Sequence, residues 1–174
     1  RLTTQISIPS RYLVFMPKLE GLGISQKIED EDERLRLRNV VESFFGESPL
    51  PGNFIVRTAA EGVDESILKA DIKFLTRLWH SIQDRSHTTP AKQLIHEDLP
   101  LYLRALRDLI TPEVEKVRID SRESWVKLNS FAEKLIPDSP IQVKYYPGER
   151  PIFDLYGVET EIQKALEQRV TLKS

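Results

Sequence analysis

From Leu68 the apolar residues step by four, three, four and three through Ile72, Leu75, Trp79 and Ile82, a stripe that only an α-helix gathers on one side. Ile67, Phe74 and Leu78 widen that stripe, and Asp64 stands where an N-cap belongs. A helix with so broad an apolar face is buried on two sides, so this one is expected to be the spine of its domain. The rest of the chain has to supply the layers that cover it.

Short apolar runs do so on the N-terminal side. Ile6 and Ile8, then Tyr12 to Met16, read as strands separated by a Pro9-Ser10 turn. After a loop containing Gly21 and Gly23, residues Leu37, Val40, Val41, Phe44 and Phe45 mark a second amphipathic helix that stops near Gly46. Phe54 to Val56 is a compact strand-like run ending in Arg57-Thr58. On the C-terminal side, Ser86 to Pro90 reads as a loop, Gln93 to His96 as a short strand, and Asp98 as the cap of a helix bearing Leu99, Leu103, Leu106 and Ile110, closed by Thr111-Pro112. Val117 and Ile119 alternate with polar residues, Ser121 caps a helix through Trp125, Leu128, Ala132 and Leu135, and Ile141, Val143 and Tyr145 alternate again, which is a β-α-β unit. A loop from Tyr146 to Leu155 leads to a helix with Val158, Ile162, Ala165 and Leu166, and Arg169 to Leu172 begins to read as a strand. The class is mixed α/β (α+β), with a seam between about Ser86 and Leu103.

Composition narrows the chemistry. With 25 Lys+Arg against 27 Asp+Glu the net charge is −2, so bulk attraction for polyanions is excluded and any nucleic-acid contact must be local. The absence of Cys from these 174 residues removes disulfides, Cys-ligated zinc and a thiol nucleophile. No apolar run is long enough to span a bilayer as a helix. His80, His87 and His96 lack ligand spacing, and neither a nucleotide-cradling glycine motif nor a nucleophile elbow occurs. The acidic run Glu29-Asp30-Glu31-Asp32-Glu33 fits the favourable field at a helix N-terminus better than a cation site.

The segment with functional content is Arg57-Thr58-Ala59-Ala60-Glu61-Gly62, between a strand and the long helix. A guanidinium offers a planar fork to phosphate oxygens, the next hydroxyl adds a donor, and small residues admit a close approach by backbone N–H groups. By itself this pattern also fits an arginine in a surface ion pair.

Several strings decide between the two: Pro9-Ser10-Arg11-Tyr12-Leu13-Val14-Phe15-Met16-Pro17, Gly23-Ile24-Ser25-Gln26-Lys27-Ile28-Glu29 and Ile55-Val56-Arg57-Thr58-Ala59-Ala60-Glu61-Gly62-Val63. With Pro151-Ile152-Phe153-Asp154-Leu155 and Glu159-Thr160-Glu161-Ile162-Gln163-Lys164-Ala165-Leu166-Glu167, they resemble the ribonuclease E/G family over essentially the whole chain. The resemblance implies an excerpt of a cytoplasmic, magnesium-dependent endoribonuclease of RNA processing and decay, a homo-oligomer when complete, that cuts single-stranded RNA and prefers a 5′-monophosphate. It implies the end of an OB-type RNA-binding domain (1–8), a 5′-sensor domain (9–102), part of an RNase H-like domain (103–166) and the start of a nuclease domain (167–174). Arg57 and Thr58 fall on the family's 5′-phosphate pair, and Val14 on the strand position whose backbone N–H helps hold that phosphate. Two departures stand nearby: Ser10 where a well-known member has Gly, and Gln26 where it has Arg, with Lys27 as a candidate replacement charge. The family's magnesium-binding aspartate strings are missing, so this chain alone is expected not to cleave RNA, with no catalytic residue and no bound metal. The competing reading is a scaffold or oligomer contact using Tyr145, Tyr146 and Phe153.

Overall fold

The computed structural model describes residues 4–47, 52–110, 113–137 and 141–169. Two compact units divide after Ile110. The expected strand at residues 170–172 and the Thr111-Pro112 stop lie outside the described residues.

The first unit holds a four-stranded sheet in the order β1-β2-β4-β3, made of β1 (Ile8–Pro9), β2 (Leu13–Met16), β3 (Gly23–Ile24) and β4 (Asn53–Val56). β2 runs antiparallel to β1 and to β4, and β3 runs parallel to β4. Strand alternation sorts the side chains: Leu13 and Phe15 lie opposite Val56 and Phe54, and all four are fully buried, whereas Val14, Met16 and Ile55 are half-buried. Pro9 falls opposite Val14 on the edge strand, at a position where its missing N–H removes no ladder bond.

Helix α1 (Glu31–Glu47) and helix α2 (Glu65–Thr88) pack on each other, and α2 also packs on β2. Leu37 and Val41 from α1 and Leu68, Ile72 and Leu75 from α2 are wholly buried. Phe15 stacks at a tilt on Phe54 and on Trp79, with centroids 5.3 and 5.6 Å apart, the spacing that aromatic quadrupoles favour. The long stripe is therefore the spine the sequence predicts, except at its margin, where Ile67 is exposed. The acidic run starts α1 as expected: Asp30 Oδ1 accepts from the N–H groups of Asp32 and Glu33 at 2.9 and 3.3 Å.

Four details of the first unit correct the sequence reading. α2 continues through Thr88 because the Ser86 and Thr88 hydroxyls turn back onto the carbonyls of Gln83 and of Asp84 and Arg85, and only Pro90 stops it. Residues 93–96 form no strand: Lys92 enters the segment with a φ of 69° and Leu94 is left exposed. Helix α3 (Leu101–Leu109) starts after Pro100, not Asp98, whose Oδ1 takes only the neighbouring Leu99 N–H; proline suits a helix start because the first N–H groups have no helical partner. Residues 23 and 24, read as loop, pair as β3.

In the second unit β5 (Lys116–Ile119) and β6 (Gln142–Tyr145) pair in parallel, joined by helix α4 (Arg122–Leu135). This is the expected β-α-β unit, and Ser121 Oγ accepts from Ser124 N–H at 3.2 Å as its cap. Leu128, Phe131 and Leu135 are buried, and Trp125 Nε1 donates to Val143 O at 3.2 Å. Pro151 opens a short helix α5 (Ile152–Leu155) inside the expected loop, and α6 (Val158–Ala165) follows as read.

Candidate functional site

Three short segments of the first unit meet at the end of β4. The ladder stops there because Arg57 N–H makes a last 2.8 Å bond to Tyr12 O, after which Thr58–Ala60 wind into a 3-10 turn. Both Arg57 and Thr58 are exposed. Arg57 Nη1 donates to Ser10 O at 2.5 Å and Arg11 O at 3.3 Å, carbonyls of the turn joining β1 to β2. Among the described residues no carboxylate pairs with this guanidinium, and its Nε–Nη2 edge takes no partner.

That edge is the side-on fork by which arginine grips planar or tetrahedral oxyanions. Arg36 uses it on Glu33, with Nε and Nη2 each 2.7 Å from a carboxylate oxygen. In Arg57 the other nitrogen is spent on backbone oxygens, which fixes the plane and leaves the fork facing outward.

Thr58 Oγ1 lies 3.0 Å from Ser25 Oγ, and either can donate. When Ser25 donates, the Thr58 O–H is free to serve an anion. Ser25 is itself held: its N–H reaches Val56 O, its hydroxyl accepts from Lys27 N–H, and its carbonyl accepts from Arg34 Nη1, which also bonds Ile28 O. Gln26 and Lys27 are exposed in the same turn, and Lys27 makes no ion pair among the described residues.

Behind this surface, Glu33 takes the fork of Arg36 and the Gly62 N–H at 2.9 Å, while Arg36 Nη2 reaches Val63 O. The guanidinium bond, the Gly62 bond and the Arg36 charge hold the Glu33 carboxyl at about 2, against partial desolvation. The turn that follows Thr58 is thereby fastened to α1.

The structure thus brings Arg57 and Thr58 together. Val14 sits inside β2 opposite Ile55. Ser10 N–H bonds Leu13 O toward β1, and antiparallel alternation therefore turns Val14 N–H toward β4, into the ladder. Ser25, Arg34 and Asp71 escaped the sequence reading. For Asp71 a signal existed: a carboxylate at the centre of the stripe, three residues from Leu68 and four from Leu75. Among the described residues no three His, Cys, Asp or Glu side chains gather as a metal set, and no helix is long and apolar enough to cross a membrane. His96 is half-buried and is held below its usual range by desolvation, the Arg85 charge adding to this and Asp98 opposing it.

The sequence profile of the Ribonuclease E/G family matches residues 7–174. The chain belongs to that family. It is 45% identical to Ribonuclease G of Escherichia coli strain K12 and 46% identical to Ribonuclease G of Haemophilus influenzae, each over the whole of this chain and 35% of the relative. It is 36% identical to Ribonuclease E of Haemophilus influenzae, over 99% of this chain and 18% of that protein. The chain therefore spans about a third of the length of the ribonuclease G relatives it matches.

Proposed function

We propose that the first unit is a 5′-end sensor that holds the terminal monophosphate of single-stranded RNA on Arg57 and Thr58. The observation that carries this reading is the open Nε–Nη2 edge of a guanidinium already oriented by two carbonyls, with a hydroxyl beside it. A dianionic terminal phosphate offers oxygens to both, whereas a 5′-hydroxyl offers neither charge nor a matching pair of acceptors. Lys27, in the adjoining turn, adds long-range attraction. Val14 contributes by fixing β2 against β4, not as an open donor.

The complete protein is then an endoribonuclease of RNA processing and decay, of the ribonuclease G type, cytoplasmic and homo-oligomeric. The second unit belongs to its RNase H-like domain. In such an enzyme, capture of the 5′ end raises the local concentration of a downstream cleavage site. The magnesium-binding aspartate strings of the family do not occur in these 174 residues, so the cutting is assigned to another part of the protein.

The test compares short RNAs that differ only at the 5′ end. The monophosphorylated RNA binds more tightly than the 5′-hydroxyl RNA, and Arg57→Gln removes the difference while the circular dichroism spectrum stays the same. Equal affinity of the wild-type chain for the two RNAs sinks the proposal. Incubation with magnesium leaves both RNAs uncut.

A further inference from the structure

The turn that orients Arg57 is itself tied down from inside, by a side chain of α2. Asp71 Oδ2 accepts from Ser10 Oγ–H at 2.5 Å and from Tyr12 N–H at 3.0 Å. Ser10 Oγ in turn accepts from Leu13 N–H at 3.2 Å, and Ser10 N–H donates to Leu13 O at 2.8 Å. One carboxylate oxygen, one hydroxyl and two backbone bonds thus define the path of residues 10–13 from beneath. From outside, Arg57 takes the carbonyls of Ser10 and Arg11, and Arg107 Nη1 takes the carbonyl of Pro9 at 2.9 Å. With the Tyr12 and Leu13 N–H groups held by Asp71 and the Ser10 hydroxyl, the carbonyls of residues 9–11 are left for guanidinium groups.

We propose that Asp71 is a positioning residue for the phosphate fork: through Ser10 and Tyr12 it sets the direction of the two carbonyls that hold Arg57 Nη1, and so keeps the Nε–Nη2 edge aimed at the ligand. The role rests on the 5′-phosphate reading above. It accounts for a carboxylate kept at 8% exposure in the middle of an apolar stripe, an expensive placement that needs compensating bonds. Burial pushes that carboxyl up, and the bonds from Ser10 and Tyr12 oppose the push. It also gives Ser10 a part: the hydroxyl that a glycine would lack here reaches the carboxylate.

Asp71→Ala removes the acceptor, Asp71→Asn restores it without the charge, and Ser10→Ala removes both bonds of the hydroxyl, to Asp71 and from Leu13 N–H, with little change in volume. In the 174-residue chain, the ratio of affinities for 5′-monophosphorylated over 5′-hydroxyl RNA falls about fivefold in Asp71→Ala, the equivalent of about 1 kcal/mol. Asp71→Asn recovers most of that ratio, Ser10→Ala loses about twofold to threefold, and affinity for the hydroxyl RNA is unchanged throughout. In an Arg57→Gln background none of these changes moves the ratio further. Side-chain NMR of the Arg57 Nε–H supplies a readout that needs no RNA: one sharp signal in wild type, broadened or averaged in Asp71→Ala and Ser10→Ala. Should Asp71→Ala fail to fold, Ser10→Ala carries the test. A wild-type ratio above one that both variants preserve, or an Arg57 signal unaffected by them, overturns the positioning role alone. A wild-type ratio of one overturns the phosphate reading and this role with it.

Discussion

Replacing Glu33 by Gln keeps the size of the side chain in the clamp behind the site and removes its charge together with one of its two acceptor oxygens. Gln still offers an oxygen to Gly62 N–H and Arg36 Nη2, but its amide nitrogen faces Arg36 Nε–H, so the contact with Arg36 keeps one prong and loses its electrostatic part. A carboxyl displaced from 4.5 to about 2 is favoured in its ionised form by about 3 kcal/mol. The side chains of Glu33 and Arg36 are 15% and 37% exposed, so solvent screening lowers the expected cost of the substitution to about 1–2 kcal/mol at pH 7. The sign follows from linkage: a folded-state pKa below the unfolded one gives stability that is complete above about 4.5 and is lost as pH falls through about 2. Urea unfolding followed at Trp79, in a Trp125→Phe background so that the signal comes from the first unit, measures the difference between the chain with Glu33 intact and its Glu33→Gln variant. It should be largest at pH 6–7 and nearly gone near pH 2, and exchange of the Gly62 amide should quicken in the variant. A gap of the same size at both ends of that range would show that the clamp works by shape and not by charge.

Other consequences are direct. Phe15→Ala empties the centre of the aromatic cluster with Phe54 and Trp79, and should cost about 3–5 kcal/mol in the same unfolding assay; a loss below about 1 kcal/mol would mean that the sheet and α2 do not share the core described. Gly52→Ala meets a φ of 125° and would set a Cβ 2.5 Å from Met16 O and Pro17 Cα, so the melting temperature should fall by several degrees, and an unchanged melt would contradict this backbone path.

Sequence alone carried the fold where one physical signal dominated. The four-three stripe of α2 and the alternation of Leu13, Phe15, Phe54 and Val56 report burial directly, and the predicted helix, strands and β-α-β unit follow from them. Signals that local chemistry can serve in two ways misled. The Ser and Thr near the end of α2 are as able to bond back onto a helix as to open a loop, and Leu94-Ile95 has strand composition without a ladder to join. At the site, Arg57 and Thr58 were legible as chemistry and as family resemblance. Nothing local could reveal that the Arg57 plane is set by a turn some 46 residues away, or that Ser25 stands beside Thr58, because both depend on strand order.

The parallel ribbon of the second unit has a property of its own. Its register sets Arg118 beside Lys144, with Lys116 on the same strand two residues back, and all three are exposed. A two-stranded ribbon has two bare rims among the described residues, the kind of template on which chains stack into insoluble assemblies. Here any incoming copy in matching alignment would press cation against cation. The ribbon therefore guards itself by repulsion, a protection that weakens as dissolved salt rises.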